Sequence, residues 1–508
     1  MQTANRVAIN TIIQYVKLIV NVLVGLISVR ILLNALGADD YGIYDVVGGV
    51  IALLAFVNSS LSQSSIRFLS VSIGKSDLND TRSVFNNCFW VHLLVSLFVV
   101  IVFVLLGTVL FDHFLSIPKD RLPAARIVYH CMILTLFLQI SVTPFNALIL
   151  SHENFFVISL ISILDSFLKL GIAFAVKYST VDKLVLYGMM MAIVTILNSI
   201  ISIGYVNKKY NKELHIGHIS LKESKVLLNF VGWTVLDIIS QLSTKQGYAI
   251  MFNKFFGTTI NAVYALSRQI EGNLYYLSAS VIDSMKPQIM KSYGDGNYER
   301  MIRLSLTSGK MGFSMMSIIT IPLLIMMPSI LEIWLGTVPA GTVFFSRMMV
   351  MSCMVEQLTK GLVHACQATG NIKLFSIIVS FIRFLALPLS IISFILGMPA
   401  GTAMIIYLSC ETIGSASRVL IMSKITSLRI TSFIKTVFLQ ILPPVVLVSL
   451  IGYLIYMYNT ATVICCINFI ICALLYSVMC YYITLDKIER AAINNIIKSL
   501  FNKFKGLQ

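Results

Sequence analysis

The sequence predicts an all-α polytopic membrane protein with about fourteen transmembrane helices, arranged as two six-helix lobes followed by two C-terminal helices. Three observations predict this fold. The chain of 508 residues is 57% hydrophobic and 12% charged, with a mean hydropathy of +0.87, which is too apolar for soluble domains. Fourteen apolar segments are long enough to cross a bilayer, and a stretch near the N-terminus recurs in the second half of the chain.

The apolar segments follow one another with short polar connections. A bilayer core of about 30 Å needs about 20 apolar residues per helix, and this length defines the predicted spans. An even number of spans places both termini on the same side of the membrane. The predicted spans are 8–33, 43–66, 86–110, 127–149, 155–176, 184–206, 226–252, 262–285, 311–330, 342–366, 374–396, 401–422, 434–456 and 461–483.

The Lys and Arg residues indicate the orientation. With the N-terminus inside, 24 of the 38 cations lie in inner segments and six in outer segments. Cytoplasmic loops carry an excess of Lys and Arg, so both termini are expected in the cytoplasm. The other eight cations fall within predicted helices, where a cation centred in lipid costs at least about 2.5 kcal/mol. They are Lys17, Arg30, Lys169, Lys245, Arg268, Arg347, Lys360 and Arg383.

The first helical hairpin, with a predicted turn at 37–42, has a second copy in the chain. A shift of 220 positions aligns Gly37 with Gly257 without a gap, and Tyr44 and Gly74 also meet identical residues. Because six spans separate the copies, the lobes form a parallel repeat about an axis along the membrane normal. The expected domains are an N-terminal lobe at 1–206, a basic cytoplasmic linker at 207–225, a C-terminal lobe at 226–422, two additional helices at 423–483 and a basic amphipathic cytoplasmic tail at 484–508.

The first helix carries one polar stripe. At about 100° per residue, Asn10, Gln14, Asn21 and Ser28 all fall within about 60° of Lys17. Every other side of the helix is apolar, so the stripe is expected to face protein or trapped water rather than lipid.

The seventh helix carries a corresponding stripe, formed by Asp237, Gln241, Thr244, Lys245 and Tyr248. Under the same shift, the positions of Lys17 and Asn21 become those of Asp237 and Gln241. The two lobes therefore present polar stripes from equivalent helices. These stripes predict a central polar cleft.

The fifth and tenth helices hold acid and base residues at i, i+4 spacing. Asp165 precedes Lys169, and Glu356 precedes Lys360, which is the order that favours pairing along a helix. A salt bridge that lets two charges enter the membrane together is one interpretation, and a functional role is the other. His364 continues the face of Glu356 and Lys360, either as a satisfied polar residue or as a proton relay.

The remaining intramembrane cations also have two interpretations. Lys17 and Arg268 are expected to contact substrate or an ion, because a cation on a polar stripe facing a cleft is by default functional; pairing of Lys17 with Asp237 is the alternative. Arg30 lies off the stripe near the outer end, where it either snorkels to headgroups or serves the cavity. Arg67 lies at the inner mouth, as a positive-inside anchor or a cavity residue.

Several other functions are disfavoured by the sequence. No basic run is interleaved with exposed aromatic residues as a nucleic-acid groove requires. The nine cysteines lie in apolar runs without metal-ligand spacing and are expected to be small core residues. No phosphate-binding loop, metalloprotease motif or nucleophile elbow is present in the sequence, so the chain is not expected to be an enzyme.

Two stretches near the N-terminus carry a family resemblance. RILLNALGADDYGIY at 30–44 and SSIRFLS at 64–70 resemble the start of bacterial polysaccharide-biosynthesis flippases of the Wzx type. Over nearly the whole chain, fourteen spans in two lobes plus two helices resemble the multidrug/oligosaccharidyl-lipid/polysaccharide (MOP) exporter superfamily.

The resemblance implies a flippase for undecaprenyl-diphosphate-linked oligosaccharide, an O-antigen or capsular repeat unit of lipopolysaccharide or other polysaccharide biosynthesis. The substrate would move from the inner to the outer leaflet by alternating access, with the diphosphate in a cationic cleft and the lipid tail between helices. It implies the bacterial cytoplasmic (inner) membrane, contacts with membrane lipids, and a polysaccharide polymerase and glycosyltransferases as further partners. No cofactor is expected, with H⁺ or Na⁺ as the coupling ion.

Candidate roles follow from the residues and the resemblance together. Three cations of the central helices, Lys17, Lys245 and Arg268, outnumber the acids Asp237 and Glu271, which is the balance that a diphosphate needs. The ion-coupling candidates are Asp237, Glu271 and Glu356. The substrate-binding candidates are Lys17, Asn21, Arg30, Arg67, Gln241, Lys245, Arg268 and Tyr275.

Two other classes of function stay open. A multidrug or cation antiporter of the same superfamily predicts that the cleft acids are essential and that cations are exported. A non-transporting membrane assembly protein predicts that the cleft charges are dispensable.

Overall fold

Helices make up the architecture of the chain. A computed structural model describes residues 2–52, 55–111, 117–458, 462–487, 489–491 and 494, and these residues form helices, turns and bends without a strand. A 3₁₀ turn lies at Asn211–Glu213, and π-helical turns lie at Ile434–Phe438 and Cys480–Thr484. The α-helices are α1 Gln2–Ala52, α2 Ala55–Gly74, α3 Leu78–Val109, α4 Leu122–Ser151, α5 Phe155–Tyr178, α6 Lys183–Lys209, α7 Leu221–Gly294, α8 Tyr298–Ile325, α9 Met327–Leu335, α10 Thr342–Thr369, α11 Lys373–Ile395, α12 Gly401–Ile425, α13 Ile430–Phe433, α14 Leu439–Tyr458 and α15 Thr462–Met479.

The predicted all-α polytopic fold is confirmed. Within the described ranges, eleven helices are long and apolar enough to cross a membrane. Helix α7 counts once among them, but Gly257 bends it into two arms that match the seventh and eighth predicted spans. The second predicted span, 43–66, falls on the arm of α1 after Gly37 and on α2, and the tenth, 342–366, falls on α10. The chain is thus a multi-pass membrane protein.

Helices α3 and α8 begin well before the predicted starts of their spans. The third span was predicted at 86–110 and the ninth at 311–330, whereas α3 begins at Leu78 and α8 spans Tyr298–Ile325. Both helices start with polar turns that a hydropathy criterion leaves out. Their starts are capped: the Asp77 carboxylate accepts the Asn79 and Asp80 N–H groups, and the Asn297 side chain accepts the Arg300 N–H.

The predicted turn at 37–42 is reduced to one residue. Gly37 has φ/ψ of 80°/170°, and helical geometry resumes directly after it. Gly257 bends α7 in the same way, with φ/ψ of 78°/−173°. Only glycine adopts such positive φ values at little cost, so each bend depends on its glycine.

The repeat predicted from the sequence is visible in the backbone beyond these bends. Helices α2 and α7 end at Gly74 and Gly294, a pair that the shift of the repeat aligns. Helices α4 and α10 begin at Leu122 and Thr342, which the same shift also aligns. Corresponding helices therefore begin and end at equivalent positions.

The chain divides into two compact units. The N-terminal unit comprises residues 12–235, and the C-terminal unit comprises residues 1–11 and 236–508. In the N-terminal unit, buried Val47, Cys88, Val128, Tyr129 and Ile140 belong to one core. The core of the C-terminal unit is aromatic and includes Tyr248, Phe252, Tyr264, Phe345 and Phe394.

Arg418, Lys286 and Lys310 belong to the 24 cations counted in the predicted inner segments, but they are buried in the C-terminal unit. They are 1%, 7% and 4% exposed. The Lys310 ammonium lies 2.7 Å from the Glu489 carboxylate, so this charge ties the chain after α15 to α8. The rest of the predicted amphipathic tail, at 488, 492–493 and 495–508, lies outside the described residues.

Candidate functional site

A cluster of ionisable side chains lies inside the C-terminal unit. Four helices contribute to it: both arms of α7, and α10, α11 and α12. The carboxylates are those of Asp237, Glu271, Glu356 and Glu411, and the cations are Lys245, Lys360, Arg383 and Arg418.

Arg383, on α11, is the centre of this cluster. Its guanidinium donates from Nε to Glu411 at 3.0 Å and from a terminal nitrogen to Asp237 at 2.7 Å. The other terminal nitrogen donates to Glu356 at 3.2 Å. The side chain is only 6% exposed. The planar, five-donor fork of arginine suits such a branched arrangement, and it links α11 to α7, α10 and α12.

The Glu356 carboxylate, on α10, lies within 4 Å of three cations, those of Arg383, Lys360 and Arg418. Lys360, one turn along the helix, donates to it at 3.0 Å, and Arg418 lies 3.9 Å away. Arg418 also lies 3.8 Å from Glu411 and donates to the Thr359 hydroxyl at 3.1 Å. Arg418 Nε and Glu411 Oε2 have no hydrogen-bond partner among the described residues. One donor and one acceptor of the network are therefore available for a further hydrogen bond.

Lys245 and Glu271 form a separate pair between the two arms of α7. The ammonium donates to both carboxylate oxygens at 3.1 Å. Glu271 is 8% exposed, while Lys245 keeps 31% of its side chain exposed. The Tyr264 hydroxyl donates to the Lys245 carbonyl at 3.0 Å. The pair therefore holds the arms together while leaving the cation accessible.

These charges line a cavity of about 260 Å³. Two lining cations, Lys245 and Arg383, meet three lining carboxylates, those of Glu271, Glu356 and Glu411. The aromatic rings of Tyr275, Tyr276 and Tyr407 complete the wall, with Gln241, Thr244 and Gly272. Carboxylates therefore outnumber cations in the lining of this cavity. The lining cations are already paired with carboxylates.

The burial of these ion pairs determines which ligand charges can replace their partners. Removing one partner of a buried ion pair costs about 3–5 kcal/mol, because the other charge is left uncompensated. A ligand group that replaces one partner avoids most of that cost. The cluster can thus exchange an internal carboxylate for a ligand anion, or an internal cation for a ligand cation or a proton.

The predicted residues of the seventh, eighth and tenth spans lie in or beside this cavity. Gln241 donates to Asp237 at 3.1 Å. The Arg268 guanidinium lies 5.8 Å from the centre of the Tyr264 ring, and the Lys360 ammonium lies 5.8 Å from that of Tyr275. Tyr248, on the same predicted stripe as Gln241, is fully buried in the aromatic core.

The predicted residues of the N-terminal unit have mixed environments. Lys17 is partly buried. Asn21 donates to the Ser162 hydroxyl and accepts from Ser166, both at 2.9 Å. Arg30 is exposed.

Arg67 has an aromatic environment within the N-terminal unit. It is 9% exposed, with its guanidinium carbon 4.3 Å from the Phe68 ring centre and 5.1 Å from that of Phe230. Such contacts stabilise a cation electrostatically.

The N-terminal unit has a cavity of its own, of about 300 Å³. Its wall includes Gly48, Ile51 and Leu136, the positions that the repeat aligns with Arg268, Glu271 and Glu356. None of the described residues that line it is charged, and its polar groups include the amides of Asn58 and Gln139 and the Thr135 hydroxyl. Equivalent positions of the repeat thus line a charged cavity in one unit and a neutral cavity in the other.

Sequence reasoning missed part of the network. Arg383 was recognised only as an intramembrane cation, Glu411 was not singled out, and Arg418 was assigned to an inner segment. Their partners come from other helices, and no spacing within one helix reveals such contacts. The one signal was an acid and a base two turns apart on the twelfth span, Glu411 and Arg418.

Comparison with known proteins identifies the fold. No model of a protein family matches the sequence, and neither does any curated protein. Solved structures do match. A MATE protein in its bent conformation is 13% identical, with a TM-score of 0.73 over 83% of this chain and 97% of that protein. The chain therefore has the MATE fold.

Two further structures of this fold match along similar lengths. One is an outward-facing multidrug resistance MATE family transporter of the MOP superfamily, 14% identical, with a TM-score of 0.68 over 85% of this chain and 97% of that one. The other is a MOP superfamily transporter from Pyrococcus furiosus, 13% identical, with a TM-score of 0.65 over 85% and 96%. The MATE fold is thus one that membrane transporters adopt.

Proposed function

We propose that the chain is a secondary transporter of the MOP superfamily that flips undecaprenyl-diphosphate-linked oligosaccharide from the inner to the outer leaflet by ion-coupled alternating access. The observation that carries this proposal is the cavity of the C-terminal unit, in which exchangeable ion pairs lie beside tyrosine rings. The resemblance of the opening hairpin to Wzx-type flippases supplies the substrate class. The glycan would be an O-antigen or capsular repeat unit.

Ion-pair exchange suits a diphosphate. A phosphate oxygen that accepts from Arg383 or Lys245 would take the place of Glu356 or Glu271, and bidentate contacts of arginine with phosphate are among the strong hydrogen bonds. The freed carboxylate would then bind the coupling ion, H⁺ or Na⁺. Substrate binding and ion binding would thus be linked, which is what coupled transport needs.

The remaining wall suits sugars. Tyr275, Tyr276 and Tyr407 offer rings and hydroxyl groups, and Gln241 offers an amide. Lys17, Asn21, Arg30, Arg67 and Arg268 remain substrate-contact candidates, and Asp237, Glu271 and Glu356 remain ion-coupling candidates. The setting would be the bacterial inner membrane with both termini cytoplasmic, near glycosyltransferases and a polysaccharide polymerase.

A flipping assay tests the proposal. The purified chain is placed in liposomes that hold a fluorescent polyprenyl-diphosphate oligosaccharide, and transbilayer movement is read with a membrane-impermeant quencher. We expect wild type to move the lipid, Lys17→Glu and Lys245→Glu to abolish movement, and Lys177→Glu, at an exposed position, to retain it. Full activity of both Lys17→Glu and Lys245→Glu, or no movement by wild type, would reject the flippase.

A specific observation favours a second candidate, a MATE-like multidrug or cation antiporter. Three carboxylates and two cations line the charged cavity, so a cationic drug would also find partners there. The same liposomes loaded with a fluorescent cationic dye distinguish the two functions. Dye efflux that depends on Glu271 and Glu356, without movement of the lipid-linked saccharide, would establish the antiporter.

A further inference from the structure

A second cluster of titratable groups lies farther along α7 and α10 in the C-terminal unit. Asp283 and Lys286 lie one turn apart on α7, and His364 and Gln367 lie one turn apart on α10. His364 Nε2 is 3.6 Å from the Asp283 carboxylate, and His364 Nδ1 is 3.3 Å from the Gln367 side-chain oxygen. The function proposed above does not use this cluster.

The two members of the His364–Asp283 pair differ sharply in exposure. The His364 side chain is 6% exposed, and that of Asp283 is 56% exposed. His364 Nε2 has no hydrogen-bond partner among the described residues, and the 3.6 Å separation exceeds an ordinary hydrogen bond. A buried imidazole nitrogen thus points at an accessible carboxylate. A proton can pass between them after a small movement or through one water.

The pair is connected to the ion network through α10. His364 lies one turn from Lys360 and two turns from Glu356, on the same face of the helix. Lys360 itself donates to Glu356 at 3.0 Å. Charge at His364 therefore acts directly on the pair that joins Lys360 to the centre of the network.

Among the described residues, few charged groups lie near His364. Asp283 and Lys286 face it from α7, and Lys360 lies on its own helix. Helix α8 packs its Ser305 and Gly309 backbone against Gly361, and α12 places Arg418 at Thr359, on the turn that precedes Lys360. Protonation of His364 thus adds a positive charge beside two lysines and one carboxylate.

We propose that Asp283 and His364 form the site at which the ion network exchanges a proton with water, so that a proton is the coupling ion of the proposed transport cycle. This inference rests on the proposed function. A hydronium ion first transfers its proton to the Asp283 carboxylate and leaves as water. Its O–H bond then breaks as an N–H bond forms at His364 Nε2, which leaves a carboxylate and an imidazolium. The new charge repels Lys360 and so loosens its contact with Glu356.

The surroundings favour a proton over a sodium ion. Lys286 is 7% exposed and lies one turn from Asp283. A buried ammonium repels a sodium ion placed at that carboxylate. A proton is instead held covalently, and His364 Nε2, which lacks a hydrogen-bond partner among the described residues, can accept it, whereas imidazole nitrogen is a poor ligand for a hard cation that prefers oxygen.

Proton-coupled transport in liposomes tests the inference. The vesicles contain a pH-sensitive dye, and fluorescent polyprenyl-diphosphate oligosaccharide is the substrate. Asp283→Asn removes the exposed carboxylate, and His364→Gln removes the titratable ring while keeping a polar group. His152→Gln is the matched control, because His152 forms a 2.7 Å pair with Glu213 in the N-terminal unit.

We expect wild type and His152→Gln to move substrate in response to a pH gradient and to move protons with it. Asp283→Asn and His364→Gln should lose at least about tenfold of the gradient-driven rate, with unchanged substrate binding. Asp283→Glu should restore the rate and shift its pH profile. Since Asp283 is exposed, Asp283→Asn decides the question even where His364→Gln fails to fold.

Two results would overturn the inference and leave the flippase intact. One is a wild-type rate driven by a sodium gradient alone, and the other is an unchanged pH profile in Asp283→Asn. Absence of any substrate movement by wild type would reject the proposed function, and this inference with it.

Discussion

At the scale of single residues, Arg383 holds the C-terminal unit together. Its guanidinium contacts Asp237, Glu356 and Glu411, and it is almost completely buried. We expect Arg383→Gln to destabilise the protein by about 3–5 kcal/mol, because uncompensated carboxylates remain in a buried site. Thermal unfolding in detergent measures the effect. Arg30→Gln, at an exposed cation, should change stability by no more than about 0.5 kcal/mol.

A double variant identifies the cause of the loss. Arg383→Gln combined with Glu411→Gln also removes one carboxylate that Arg383 no longer neutralises. The double variant should regain part of the lost stability. If the double variant is no more stable than Arg383→Gln alone, ion pairing is not the source of the effect.

A second residue-scale feature is a clasp formed by Arg121 in the N-terminal unit. Arg121 Nε donates to Asp40 at 2.8 Å, and a terminal nitrogen donates to Asp182 at 2.8 Å. Asp182 also caps α6 by accepting the Leu184 and Val185 N–H groups. Burial alone would raise the pKa of Asp182, but the hydrogen bonds from Arg121 and from the α6 backbone outweigh it and lower that pKa.

The lowered pKa predicts how the clasp depends on pH. A carboxyl whose pKa is lower in the folded state stabilises the protein fully above its unfolded pKa, about 3.9, and loses that stabilisation as pH falls through the folded value. We therefore expect Arg121→Gln to lower Tm at pH 7 and to have a diminishing effect below about pH 4. Lys75→Gln, in the more exposed Lys75–Asp80 pair, should have little effect at any pH. An Arg121→Gln effect that is constant with pH would contradict the clasp.

Helical spacing predicted the ion pairs within one helix but not those between helices. Asp165 with Lys169 and Glu356 with Lys360 form as their i, i+4 spacing indicates, at 2.7 and 3.0 Å. Arg383 meets its three carboxylates across four helices. Those contacts depend on how the helices pack, which the periodicity of any one helix does not encode.

At the scale of elements, the two bent helices depend on Gly37 and Gly257. Each combines a φ near +80° with an extended ψ, a region essentially restricted to glycine that costs other residues about 1–3 kcal/mol. We expect Gly37→Ala and Gly257→Ala each to lower stability by about that amount, with additive effects because the sites are independent. Thermal unfolding of the single and double variants measures this.

Two other glycines supply the controls for these bends. Gly49 in α1 and Gly232 in α7 lie in open space, and neither has a positive φ. Alanine at either should be neutral or stabilising by up to about 1 kcal/mol. Equal behaviour of Gly37→Ala and Gly49→Ala would show that the bend carries no strain.

Close packing of α8 against α10 gives another element-scale prediction. A Cβ on Gly361 would lie 2.0 Å from the Ser305 carbonyl oxygen, which is backbone and has little room to move. We expect Gly361→Ala to separate the helices and to cost about 1–3 kcal/mol, read as a fall in Tm. Gly414→Ala on α12, where the nearest atom lies 4.0 Å away, should not. A Gly361→Ala protein as stable as Gly414→Ala would contradict this contact.

The sequence predicted these elements well and their roles less well. Polar residues interrupt the tenth predicted span, and that helix, α10, supplies Glu356 and Lys360 to the ion network. Departures from a uniform apolar pattern thus mark the candidate site rather than an error in the span. The bend at Gly37 was expected as a longer turn, because polar Asp39 and Asp40 resemble loop residues although they are helical.

At the scale of the whole molecule, the two copies of the repeat share a similar backbone but differ in the side chains that line their cavities. Gly48, Ile51 and Leu136 line the neutral cavity at the positions that the repeat aligns with Arg268, Glu271 and Glu356. The repeat itself was predictable, since glycines and tyrosines recur at fixed spacing. The lack of charged residues in the described lining of the neutral cavity was not, because the polar stripe around Lys17 indicated two similar units.

This asymmetry predicts that substrate affinity and ion coupling separate between the two units. Gln139 lines the neutral cavity and Glu356 belongs to the ion network. Loss of one hydrogen bond costs about 0.5–1.5 kcal/mol, so Gln139→Leu should raise KM for the lipid-linked saccharide several-fold and leave the dependence of the rate on the ion gradient unchanged.

Glu356→Gln should abolish that dependence, because a coupled cycle needs an ion-binding group whose occupancy alters substrate binding. Rates in liposomes at several substrate concentrations, with and without the gradient, measure both effects, and Gln139→Asn serves as the conservative control. If the two substitutions change KM and gradient dependence alike, the units share one function and the neutral cavity is no separate binding region.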